Sequence, residues 1–452
     1  MRAPGHWSPV VAVVVGVSLL AACGGGSDDA VSAPAPSPST SSRPAGTSAP
    51  ATSRVDSSCP PARSVPDGPS ATAQVIEEGS GDRPEIEAAV YPAPAGGGEP
   101  WSQWGQGVVL SDGRFLSTAG DHRGADGNAY LFVYDPETRE ITRVADVLSQ
   151  VEHEDGAWGY GKIHAQLVAA GCDVYLSTYW GSRRGLEFSS TYDGDLLFRV
   201  DPSTLELESL GTPLPRHGIP SLAGSVDDGL LYGEAVDPLV SERRDTGSFF
   251  AYDVEDDRVA FESDDPDHIG FRNILVGPDG TAYVAAEGGR LLAYEPGSDA
   301  LRSLPDTLPG GGWLRASTAP GPDGTVYGVT QNPDRLFALH RDGSITDLGE
   351  ARGYTASLAL APDGSRFFYV PGAHGDAYEQ GTPLIAVDTE TGDQTVVAEL
   401  NPPAERELGL RLGGTYDVAV DPSGDRVYVG LNAADPGAKD AFGQVVLAVV
   451  HL

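Results

Sequence analysis

The groups in this chain best suited to chemistry crowd into one stretch. It reads His153-Glu154-Asp155-Gly156-Ala157-Trp158-Gly159-Tyr160-Gly161-Lys162-Ile163-His164, and Tyr179-Trp180-Gly181-Ser182-Arg183-Arg184 follows soon after. Indole and phenol rings stack on sugar faces, while lysine and the planar arginine fork grip carboxylates or sulfates. Lys162, Trp158, Tyr160, Tyr179, Trp180, Arg183 and Arg184 are therefore the expected ligand-binding set. Trp101 and Trp104 stand near enough in the sequence to join it. The competing reading of the same rings is plain core packing. Lys162 is also one of two lysines, with Lys439, in a chain of formal net charge −36. A positive focus in so acidic a molecule suits an anionic ligand.

The same charge excludes whole classes of function. Nucleic-acid binding needs a basic surface to neutralise phosphates, and docking to anionic lipid needs a polybasic one. Hydrophobic residues make up 40% of the chain, too many for wholesale disorder. The 58 glycines and 36 prolines among 452 residues argue against a long helical protein. No Gly-x-Ser-x-Gly, His-Glu-x-x-His or Cys-x-x-Cys occurs, so the common nucleophile, zinc and redox signatures are missing. No cofactor is expected from such motifs.

The elements that must position these groups come from an internal repeat. A turn of the Pro-Asp-Gly type recurs as Ser111-Asp112-Gly113, Asp227-Asp228-Gly229, Pro278-Asp279-Gly280, Pro322-Asp323-Gly324, Pro362-Asp363-Gly364 and Pro422-Ser423-Gly424. Ala170-Gly171-Cys172 is a degenerate seventh copy, and successive turns stand 40 to 60 residues apart. An apolar strand precedes each turn, and a strand bearing Tyr or Phe follows it. A third strand ends in an acidic turn, such as Leu131-Phe132-Val133-Tyr134-Asp135-Pro136, and a fourth comes after. Four short antiparallel strands repeated seven times predict an all-β, single seven-bladed β-propeller over residues 60–452. No helical apolar period of useful length interrupts it. The last copy ends at Leu452 without its outer strand, so Glu85 to Tyr91 is expected to close that blade.

Aligning the copies on their turns and reading back seven residues gives one column: Gly105, His164, Ser221, Arg272, Arg315, Ala356 and Tyr416. In a propeller these positions ring one mouth of the central channel. The body resembles bacterial propellers with quinoprotein-like, gluconolactonase-like and WD40-like repeats. The resemblance rests on turn chemistry and implies architecture rather than activity. Some ulvan-type polysaccharide lyases are similar seven-bladed propellers that use His, Tyr and Arg. That likeness implies Arg272 and Arg315 neutralising a uronate, with His164 and Tyr416 as base and acid. The bland alternative has these arginines salt-bridged to acids such as Asp417. A gluconolactonase-like divalent metal at the mouth would draw on Asn273 and Asp417.

The N-terminus predicts export. Val10 to Ala22 is an apolar run too short to span a bilayer, and it ends in Leu20-Ala21-Ala22-Cys23. This resembles the lipobox of bacterial lipoproteins. It implies a signal peptide over 1–22, a lipidated Cys23, and anchorage to the outer face of the cytoplasmic membrane, with lipid as the sole membrane contact. An ordinary secretory signal with a chance cysteine is the alternative. Residues 23–59 are Ser, Thr, Ala and Pro with little to bury, a flexible tether. Cys59 and Cys172 remain, and an oxidising compartment favours a disulfide between them. The expected protein is a monomeric, surface-tethered propeller binding an anionic glycan or an envelope protein. The alternative is a polysaccharide lyase.

Overall fold

The computed structural model describes residues 59, 64–81, 83–94, 101–179, 191–225, 228–237, 247–263, 265, 267–269, 273–374, 377–439 and 442–452. Cys23, the signal segment and most of the tether lie outside the described residues, as do Trp180, Arg183, Arg184 and Arg272.

Among the described residues the strands form seven antiparallel sheets, the blades of a β-propeller. Each blade begins at the channel and runs outward in chain order, except that N-terminal strands supply the outer edges of blades one and seven. Blade two, for example, is built from Val168–Ala170, Asp173–Ser177, Leu197–Val200 and Leu207–Gly211. The innermost strand of blade five is Trp313–Ser317, and that of blade seven is Arg411–Val420. Apolar side chains on facing sheets fill the spaces between blades, which is why both sheet faces read as hydrophobic.

The recurring turn does two jobs. Its aspartate accepts the backbone N–H two residues on, at 3.1 Å for Asp279 to Thr281 and 3.0 Å for Asp363 to Ser365. Its glycine takes a left-handed backbone, φ +75° at Gly364, and a Cβ there would sit 2.9 Å from Pro322 of the preceding blade. The turns therefore pack proline against glycine around one end of the channel. The aromatic after each turn links neighbours as well. Tyr232 Oη donates to the Gly280 carbonyl at 2.7 Å, and Tyr428 Oη to that of Gly113 at 3.1 Å.

Closure follows the expected route. Glu85–Val90 pairs with Gln444–His451, from Glu85 opposite His451 to Val90 opposite Val446. Glu87 then fastens blade seven to blade one. Its carboxylate meets Arg139 at 2.8 Å and His451 at 3.1 Å. Two further edge strands were not legible in the sequence. Ser70–Thr72 extends blade one along Glu140–Asp146, and Gln74–Glu77 extends blade seven outside the closing strand. The N-terminal segment thus stitches both sides of the seam.

One helix corrects the expectation that none interrupts the strands. Asn401–Leu408 is two turns long, with prolines in its first turn and Gly409 as a left-handed cap. Arg406 from this helix donates to the Ile76 carbonyl and to Glu77, each at 2.8 Å. Cys59 and Cys172 are joined by a disulfide across 113 residues, tying the start of the described chain to the blade-two turn.

Candidate functional site

The aligned column brings three side chains to one mouth. His164 enters from the loop before blade two, Arg315 from the inner strand of blade five, and Tyr416 from that of blade seven. The ring centroids of His164 and Tyr416 are 6.3 Å apart, and the Arg315 guanidinium lies 5.8 Å from the Tyr416 ring. All three are buried, 3 to 6% exposed, and form the floor. Each is oriented by a named contact. His164 Nδ1 donates to the Pro220 carbonyl at 2.9 Å, so Nε2 carries the lone pair of the neutral ring. Arg315 Nε donates to Tyr354 Oη at 2.7 Å. Tyr416 Oη hydrogen-bonds His374 Nδ1 at 3.0 Å.

Around this floor stands a rim of half-buried rings. Trp104, from the segment entering blade one, lies 4.9 Å from Tyr416 and stacks on Phe442 at 5.4 Å. Its indole N–H donates to Ser102 Oγ at 2.8 Å, and that hydroxyl meets His122 Nδ1 at 3.1 Å. The Lys162 ammonium sits over the Trp104 ring, 4.1 Å from its centre. Tyr354 stacks on the exposed His374 at 4.7 Å. The mouth is therefore built of cations held against aromatic faces.

His122, Tyr354, His374 and Phe442 escaped the sequence reading. His122, His374 and Phe442 lie in the loops joining second to third strands, and Tyr354 lies two residues before Ala356 of the column. Reading those loops in every blade, and not in blade two alone, would have found His122, His374 and Phe442.

Other expected members stand elsewhere. Trp158 is 3% exposed against Tyr192, with ring centroids 5.1 Å apart, and packs as core instead of offering a stacking platform. Tyr160 packs against that pair, and burial together with Asp195 and Asp193 pushes its phenol well up. Tyr179 is 1% exposed and meets His164 edge-on at 5.5 Å, supporting the floor from behind. Trp101 is core, wedged against Tyr130 and Phe132. Ser221 donates to Glu234 at 2.7 Å, and Glu234 also meets His268 at 3.2 Å. The carboxylate stands between the serine and the imidazole, the reverse of a nucleophile–base–acid order.

Asp417 neither ties down an arginine nor shares a ligand set with Asn273. It is fully buried, accepting from the Gly107 N–H at 2.7 Å and from the Gln103 amide. Burial raises its carboxyl from an ordinary 3.8 to about 7. Asn273 is spent differently, accepting from Gln166 and donating to Ser317, both at 2.9 Å. With their hydrogen-bonding atoms taken by different partners, the two residues do not fit a common metal ion.

That chain of amides lies below the mouth. Gln106 extends it by donating to the carbonyls of Leu358 at 3.1 Å and Val418 at 2.8 Å. Beneath this belt, toward the Pro-Asp-Gly turns, the channel widens into a cavity of about 430 Å³.

No protein-family model matches this chain, and no curated protein matches it. Solved structures do. A catalytically inactive variant of virginiamycin B lyase from Staphylococcus aureus, with quinupristin, superposes with a TM-score of 0.53 at 9% identity, covering 81% of this chain and all of that one. A streptogramin B lyase gives 0.50 at 10% identity, covering 81% and 98%. U3-55K gives 0.51 at 11% identity, covering 81% and 98%. Similarity at this level is similarity of fold, shared by lyases and other proteins alike: this chain is an all-β propeller of seven blades.

Proposed function

We propose that this protein is an exported, lipid-anchored propeller that binds an anionic, ring-bearing ligand at its channel mouth, an acidic glycan being the class that fits. The observation that carries the reading is the pairing of cations with aromatic faces. Arg315 lies against Tyr354 and Tyr416, and Lys162 lies against Trp104, in a chain of net charge −36. Rings supply area for stacking, and the guanidinium and ammonium supply the charge that a carboxylate or sulfate requires. Calorimetric titration of the full chain with a uronic-acid oligosaccharide and with a neutral oligosaccharide of equal length tests this. Saturable binding of the acidic chain alone supports the reading. Equal binding of both, or of neither, removes it.

One observation favours a lyase as the second reading. Tyr416 Oη is hydrogen-bonded to His374 Nδ1 at 3.0 Å beside Arg315. In an elimination, Arg315 would neutralise the uronate carboxylate and acidify the adjacent C–H. His164 Nε2 would take that proton, the C–O bond at the neighbouring carbon would break, and Tyr416 would protonate the departing oxygen, drawing on His374. The product carries a conjugated double bond. A rise in ultraviolet absorbance on acidic polysaccharides, lost in Tyr416→Phe, would support the lyase. A flat trace alongside binding would leave a binding protein.

A further inference from the structure

The seam that closes the ring carries a cluster of ligating groups that the mouth does not use. Glu85 and Glu87 stand two residues apart on the closing strand Glu85–Val90, so their side chains take the same face of the sheet. His451, at the end of Gln444–His451, lies directly opposite Glu85 in the antiparallel ladder. One carboxylate oxygen from each glutamate and one imidazole nitrogen come within 4.8 Å of one another. Among the described residues, no other three acidic, histidine or cysteine side chains draw their ligating atoms so close.

The charges within this cluster do not balance. Arg139 spends its fork on Glu87, Nη2 meeting Oε1 at 2.8 Å and Nε meeting Oε2 at 2.9 Å. Arg426 stands opposite His451 in the next strand, but its guanidinium goes to Asp421 at 3.3 Å. The Glu85 carboxylate makes no hydrogen bond or ion pair with any described residue. Two carboxylates on one strand face repel, and a single guanidinium offsets only one of them. A divalent cation offsets the other, and the imidazole beside it supplies a nitrogen ligand. The spacing suits one: His451 Nε2 and Glu87 Oε1 are 3.1 Å apart. A tetrahedron with metal–ligand bonds of about 2.0 Å has an edge of about 3.3 Å. Glu85 and His451 are each part-exposed, which leaves a route from solvent.

We propose that Glu85, Glu87 and His451 form a zinc site, with water completing the tetrahedron. A shell that mixes imidazole with carboxylate oxygens suits zinc better than magnesium, which takes oxygen ligands alone. Without metal, the His451 Nε2–H donates to Glu87 Oε1. Zinc takes the place of that proton, which leaves to solvent. Glu85 brings its unspent carboxylate as the third ligand, and Arg139 keeps Glu87 oriented from behind. Two ligands come from the N-terminal closing strand and one from the last strand of the chain, so the ion clamps the joint that makes the ring. The proposal does not rest on the mouth reading.

The test is calorimetric titration of the full chain with zinc chloride, beside magnesium chloride, with thermal melts at each end point. One zinc per chain is expected at the tightest site, raising the melting temperature, and magnesium in equal amount is expected to do neither. His451→Gln and Glu85→Gln should each weaken that binding at least about tenfold and abolish the zinc-dependent gain in melting temperature. Should His451→Gln melt too early to read, Glu85→Gln removes no contact of the metal-free fold and keeps the test open. X-ray absorption at the zinc edge should show imidazole in the parent's shell and lose it in His451→Gln. Absence of saturable zinc binding, zinc binding unchanged in both folded variants, or magnesium displacing zinc at equal concentration overturns the proposal.

Discussion

At the scale of single residues, the mouth sets its cations against aromatic rings. Arg315 is buried, spends Nε on Tyr354 Oη and presents its plane near Tyr416. Replacing Tyr354 with Phe removes the acceptor that aims this fork, and should weaken an acidic ligand about three- to tenfold without unfolding the chain; titration and thermal melts together check it. Asp417 makes a different prediction. Its carboxyl titrates near 3.8 when unfolded and near 7 when folded, so the native state binds the extra proton. Stability contributed by this group is therefore full below about pH 4 and falls as pH rises toward 7. Asp417→Asn should flatten that fall and raise the melting temperature at pH 8 relative to the parent. Gln103 Oε1, buried without a partner, can turn to accept the new amide. A parent whose stability rises between pH 4 and 7 as steeply as the variant's would contradict this. The column of His164, Arg315 and Tyr416 was legible because strand-start positions follow from the turns. The burial of Trp158 and Tyr179 was not, because ring type alone does not say which face of a loop a side chain takes.

At the scale of elements, the repeat was legible because the turn is written in residues that only certain backbones accept. Gly364 needs a positive φ and has Pro322 in its way, so Gly364→Ala should cost about 1–2 kcal/mol, read by denaturant titration. The closing strand was legible too, since Glu85-Ile86-Glu87 alternates and the last blade lacked a partner. Ser70–Thr72 and Gln74–Glu77 were not, for neither carries an apolar alternation that separates it from tether. Their strand character comes from the ladders they join. The helix Asn401–Leu408 escaped for a related reason: two turns are too short to show a period. The disulfide fastens this same N-terminal region to blade two. Cys59→Ser or reduction should lower stability by about 2–4 kcal/mol and sensitise residues before Gln74 to proteolysis. Unchanged melting under reductant would contradict it.

At the scale of the whole molecule, seven blades close into a ring whose channel is divided by a belt of side-chain amides. One end is cationic and aromatic, the other is walled largely by small aliphatic residues, and the chain as a whole carries a net charge of −36. Such a charge repels polyanions at long range, so binding an acidic ligand depends on the few cations at the mouth. The proposed anchor is tested on the cell. Cys23→Ala should release the protein into the medium, and continued membrane retention would refute lipidation. The central claim meets its most direct test in Trp104, which lies over Lys162 and Tyr416 at the rim. Tryptophan fluorescence of the full chain is titrated with an acidic oligosaccharide, in the parent, in Arg315→Gln and in Trp104→Phe. The expected result is a saturable change in the parent, at least about tenfold weaker in Arg315→Gln and largely lost as a signal in Trp104→Phe. An isotherm that is the same in the parent and in a folded Arg315→Gln would contradict the claim that this mouth binds an anion.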